Sequence, residues 1–83
     1  MNPTTRNLVV RGIKLRTRTP RRFATVAVRP ERIERDGRFY MPYAEVLKRT
    51  DSIETARAKK RSFGIGIGSF AVIVDLTTGE EIS

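Results

Sequence analysis

The sequence predicts an α+β fold: a small antiparallel or mixed sheet of four or five strands, with one or two short helices packed on one face. Three observations carry this. Residues 23–28 (FATVAV) and 69–76 (SFAVIVDL) are apolar on both parities and rich in β-branched side chains, as strands covered on both faces are. Between Val9 and Arg18 apolar and polar residues alternate, the period of a half-buried strand. Residues 51–62 open with capping residues and continue with an apolar stripe at helical spacing.

In chain order, the strand from Val9 places Val9, Ile13 and Leu15 on one parity and Lys14, Arg16 and Arg18 on the other, so three cations project from one face. Pro20 fixes its own φ and pushes Thr19 toward extended geometry, which makes 16–22 (RTRTPRR) a turn region. Residues 23–28 form a central strand closed by Arg29-Pro30. In RIERDGRFYM, Asp36-Gly37 supplies the positive φ angles of a two-residue hairpin turn. Pro42 suits a first helical turn, and Tyr43, Val46 and Leu47 follow at i, i+3 and i+4, so residues 42–49 are expected as a short amphipathic helix.

A second helix is expected from Asp51, which can cap the backbone amides while Glu54 reaches back, to about Ser62. Its stripe is Ile53, Ala56, the Lys60 stem and Phe63. Phe23, Phe63 and Phe70 are assigned to the core; Phe39, Tyr40 and Tyr43 fit a core or turn-flanking cluster better than a base-stacking one. Thr77-Thr78-Gly79 makes a turn, with Asp75 a turn residue rather than a magnesium ligand alongside Glu80 and Glu81. Residues 80–83 return as a short edge strand, which offers an edge for pairing with a second copy. No internal repeat or linker divides the chain, so 1–83 is read as one basic domain with 1–6 as a flexible tail.

The three alternating glycines of KKRSFGIGIGSFAVIVD raise the question of a phosphate cradle. Such cradles run strand, glycine loop, helix, because the helix N-terminus aims free amides at phosphate. Here the order is helix, glycines, strand, and the Walker lysine is missing. Gly64 is better read as a left-handed helix terminator, with Gly66 and Gly68 as linker or bulge positions. An anion-binding nest of amides beside Lys59, Lys60 and Arg61 is the functional reading that survives.

With neither cysteine nor histidine, the chain cannot build a Ser-His-Asp or Cys-His triad or the usual zinc, copper and haem sites, and no cofactor or enzymatic activity is expected. The N-terminal apolar run is too short for a membrane span or a signal-peptide core, so a cytoplasmic protein without membrane partners is expected. The net charge of +8 is unevenly placed. Up to Pro30 the chain carries Arg6, Arg11, Lys14, Arg16, Arg18, Arg21, Arg22 and Arg29 and no acid; from Glu31 onward nine cations meet nine acids. Such a block repels itself, and a polyanion offsets that cost. The expected nucleic-acid contacts are Lys14, Arg16, Arg18, Arg21 and Arg22, with Arg57, Lys59, Lys60 and Arg61 as a secondary set. The alternative is a protein partner presenting an acidic or nucleic-acid-binding surface, inhibited by the contact.

The stretch LKRTDSIETARAKKRSFG followed by SFAVIVDLTTGEEI resembles small α+β proteins encoded by bacteriophages of actinobacteria, in which a Thr-Asp-Ser helix start leads to a strand ending in Asp and a Thr-Gly-Glu turn. It covers roughly the C-terminal 37 residues. The resemblance implies a viral accessory protein that acts on a component of the host cytoplasm, and it carries over no catalytic residue.

Overall fold

A computed structural model describes residues 5–18, 20–64 and 66–82. Its strands are β1 (Thr5–Val10), β2 (Ile13–Arg18), β3 (Phe23–Arg29), β4 (Ile33–Arg35), β5 (Arg38–Tyr40), β6 (Tyr43–Thr50), β7 (Phe70–Asp75) and β8 (Glu81–Ile82); the helix α1 (Ile53–Ser62) lies between β6 and β7. The chain is thus mostly strand with one helix. A four-stranded sheet, in the order β6-β3-β7-β8 and antiparallel throughout, is accompanied by two separate hairpins, β1-β2 and β4-β5.

Three layers result, and they explain why β3 and β7 are apolar on both parities. On one side of the sheet Ala24, Val26, Val28, Val72 and Val74 pack against Leu8 and Val10 of the first hairpin, with Ile13 and Leu15 half-buried at the margin. On the other side Phe23 and Ile73 pack against Ala56 and Ile53 of α1 and against Ile82. Thr25, on that same side and buried, donates its hydroxyl to the Ala56 carbonyl at 2.9 Å, which satisfies its polar atom between sheet and helix. With both faces covered, a central strand needs no polar side.

The strand expected over Val9–Arg18 is in fact the end of one strand, a turn and a second strand. Arg11 (φ 52) and Gly12 (φ 84) both adopt positive φ, as a two-residue hairpin turn requires. The turn reverses the facing, and Val9 lands on the outside, 67% exposed. β1 begins at Thr5, inside the stretch expected as a tail; residues 1–4 of that tail and Thr19 lie outside the described residues. The Asp36-Gly37 hairpin forms as expected, with φ of 53 and 76.

The helix expected over 42–49 is instead the edge strand β6. β3 would otherwise leave a row of backbone groups unpaired beside the core, and β6 satisfies them from Tyr43 to Thr50. The register slips opposite Thr25/Val26, inserting Leu47 as an extra residue. That bulge breaks the two-residue period, and the resulting spacing of Tyr43, Val46 and Leu47 imitates a helical stripe.

α1 forms where expected, capped by Ser52 rather than Asp51: the Ser52 hydroxyl accepts from the Thr55 amide at 3.2 Å. Asp51 is taken up elsewhere, by Arg21 and the Arg22 amide. Gly64 is not left-handed; the helix ends at Phe63, which is extended with φ -70. Gly68 is the positive-φ residue of the run, at 66, and any side chain there would collide with Ile33 at the base of the second hairpin. Phe23 is buried and Phe63 half-buried, but Phe70, assigned to the core, is 37% exposed at the start of β7. The 77–79 turn, the short β8 and the turn role of Asp75, whose Oδ1 accepts from the Thr77 amide at 2.8 Å, follow the expectation.

Candidate nucleic-acid interface

The eight N-terminal cations divide into two groups. Five are engaged by other groups of the chain, three of them in pairs at the surface. Arg6, whose side chain points inward from β1, donates to the carbonyls of Leu76, Thr77 and Thr78 at 3.1, 2.7 and 2.9 Å and ties the first hairpin to the turn after β7. Arg11, at the tip of that hairpin, makes a bidentate pair with Glu81 (Nε–Oε1 2.7 Å, Nη2–Oε2 2.8 Å) and stacks over Phe70. The hydrogen bond from Arg11 holds the Glu81 carboxyl below its ordinary range and raises the guanidinium in turn.

Arg21 bonds Asp51 at 3.0 Å, and that bond, seconded by the Arg22 amide, lowers the Asp51 carboxyl. Arg22 stacks over Phe23 with its Nε 3.8 Å from the buried Asp75. Arg29 lies between the rings of Tyr40 and Tyr43 and donates to the carbonyls of Ile67 (2.7 Å) and Met41 (3.2 Å). Through Ile67 the glycine run is bound by its carbonyl to an arginine. The carboxylates weighed for magnesium, Asp75 and Glu81, are likewise occupied by Thr77, Arg22 and Arg11.

Lys14, Arg16 and Arg18 form the second group. Inward burial of Leu8, Val10, Ile13, Leu15 and Thr17 turns all three to the outer face of β2, exposed. Their cross-strand neighbours are Val9, Asn7 and Thr5, so no acid faces them across the hairpin; Arg16 donates to Thr5 Oγ1 at 3.2 Å. Among the described residues none of the three is in a salt bridge. Alternate residues on a strand lie about 6.7 Å apart, which makes a cationic row about 13 Å long.

Two residues missed in the sequence lie near this row. Lys48 and Arg49, exposed on β6, line an open groove of about 540 Å³ with Arg16 and Arg18. Leu15 and Val46 also line it, and Glu45 is the one acid among its described lining residues. The helical reading of 42–49 hid them: as part of a strand beside β2, Arg49, opposite Ala24, shares the hairpin side of the sheet, while Lys48, opposite Thr25, projects to the other side at the same edge.

The other site residues are not brought together with it. Arg21 and Arg22 sit past the end of β2, held by Asp51 and Asp75. Arg57, Lys59, Lys60 and Arg61 are exposed on α1, across the sheet from the hairpin. The aromatic side chains also lie apart: Tyr40 and Tyr43 flank Arg29, and Phe39 lies under Arg32 with 4.4 Å from guanidinium to ring centroid. Among the described residues no helix is long and apolar enough to cross a membrane, and no group of three or more potential ligands is placed to hold a metal ion. No protein-family model, curated protein or solved structure matches the chain.

Proposed function

We propose that this protein is a non-catalytic nucleic-acid-binding module that contacts phosphates through Lys14, Arg16 and Arg18 on the outer face of β2, flanked by Arg49. The single observation behind this reading is that row: three exposed cations, two residues apart, on a hairpin surface without an acid, while the remaining N-terminal cations are engaged in internal contacts. Guanidinium groups in such a row favour bidentate phosphate contacts. The aromatic rings stand elsewhere, so the chemistry is that of phosphate contact rather than base stacking. Arg21 and Arg22 take a flanking role: the Arg21–Asp51 pair is exposed, and exposed pairs of this kind contribute little and exchange readily.

Mobility shifts of short duplex and single-stranded DNA and RNA across a salt series test this. The triple variant Lys14→Gln, Arg16→Gln, Arg18→Gln is expected to lower the slope of log affinity against log salt by about 2.7, at about 0.9 for each phosphate that is no longer neutralised. An unchanged slope sinks the assignment.

Val9, largely exposed beside Lys14, favours a second reading. An apolar side chain within the basic row suits a protein partner with an acidic rim around an apolar centre. If a partner captured after nuclease treatment no longer binds Val9→Ser while nucleic-acid affinity is unmoved, the second reading prevails.

A further inference from the structure

We infer that α1 presents a second polyanion-binding face and that the protein bridges two separate nucleic-acid segments, one on the hairpin and one on the helix. This rests on the reading of the hairpin row as the first face.

The sheet has two sides, and each is covered by one basic element. Leu8 and Val10 seat the hairpin on the Val26/Val74 side, and Ala56 and Ile53 seat the helix on the Phe23/Ile73 side. Their solvent-facing surfaces therefore point in opposite directions. Layers of this kind stack about 10 Å apart, so roughly 20 Å separates the two backbones, and no straight segment touches both.

On α1 the acid is Glu54, confined to the first turn and accepting a bond from the Ser52 hydroxyl at 3.3 Å. The last turn holds Lys59, Lys60 and Arg61, all exposed. The charge of Lys60 also helps to lower the Glu81 carboxyl. Ile53 and Ala56 are the helix residues that enter the apolar core, and Thr25 adds a hydrogen bond to the Ala56 carbonyl. Two like-charged faces on opposite sides of a narrow body, with principal extents of 47, 24 and 19 Å, repel each other least when each is neutralised by its own polyanion.

The test uses one duplex tethered to beads and a second, fluorescent duplex in solution, with the full chain added. The wild-type protein is expected to retain the fluorescent duplex. The variant Lys59→Gln, Lys60→Gln, Arg61→Gln is expected to reduce that retention at least about tenfold, because the two faces no longer engage simultaneously. The same variant should still shift a single duplex through the hairpin row, with its salt slope lowered by less than in the Lys14, Arg16, Arg18 variant. Thermal melts of both proteins establish that the variant is folded. Wild-type protein that shifts a duplex but retains no second one overturns the bridge and leaves the hairpin reading standing. Failure to shift any duplex overturns the hairpin reading itself. Retention by the helix variant equal to wild type, with sedimentation showing a dimer at the assay concentration, assigns bridging to self-association and also overturns the proposal.

Discussion

The two hairpins of this protein share a turn and differ in almost everything else. Arg11-Gly12 and Asp36-Gly37 both place two consecutive residues at positive φ. The first hairpin has Leu8, Val10, Ile13 and Leu15 on one face and is fastened down as a layer of the domain. The second carries Arg35 and Arg38 among Glu34 and Asp36 and leaves Phe39 55% exposed; Ile33, half-buried beside Gly68, fits its base to the body. Turn chemistry thus specifies that a hairpin forms, and the apolar face decides whether it is built into the core. Charge follows the same division. The second hairpin supplies its own acids, whereas the first has none and borrows Glu81 only for the arginine at its tip.

The largest contrast is expected in the core. Leu8→Ala should cost about 3 kcal/mol of global stability, as a buried leucine leaving a cavity does, whereas Phe39→Ala should cost at most about 1 kcal/mol, the worth of its exposed stacking with Arg32. Urea unfolding of both variants measures this, and equal losses would show the second hairpin to be integral to the core. Next come the turns. Gly12→Ala and Gly37→Ala both force a Cβ into the left-handed region, at about 1 kcal/mol each. Gly12→Ala should lower the global unfolding midpoint, while Gly37→Ala should only speed hydrogen exchange within 33–40.

A smaller effect is expected with pH. Glu81 has a folded pKa below its unfolded value, so its pair with Arg11 stabilises the protein above about pH 4.3 and that contribution fades as pH falls through the folded value. Glu81→Gln should accordingly lower the melting temperature at neutral pH and flatten its decline under acid. The smallest effect sharpens the charge comparison: Arg32→Gln, Arg35→Gln, Arg38→Gln on the balanced hairpin should leave the salt slope of nucleic-acid binding unmoved, in contrast to the row on β2.

Much of the architecture was legible locally. β3 and β7 announce themselves by apolar residues on both parities, the Asp36-Gly37 turn by its chemistry, and α1 by its polar start and apolar stripe. The row Lys14, Arg16, Arg18 was legible for the same reason, since alternation fixes which side chains share a face. Three features were not. β6 was hidden by its bulge, the Arg11-Gly12 turn by an arginine in a position that glycine or asparagine usually marks, and the fate of the other N-terminal cations by distance along the chain. Arg6 and Arg11 meet partners some 70 residues away, and Arg21 meets Asp51 30 residues away.

By itself the sequence determined the charge imbalance, the periods of the strands and helix, and the absence of thiol and imidazole chemistry, because these depend only on residue identity and near neighbours. Only the tertiary structure decided which cations are consumed internally and which stand together, and that the helix cations lie across the sheet from the hairpin. Ion pairs and layer order arise between residues far apart in the chain, and the local preferences that select strand or helix carry no information about them.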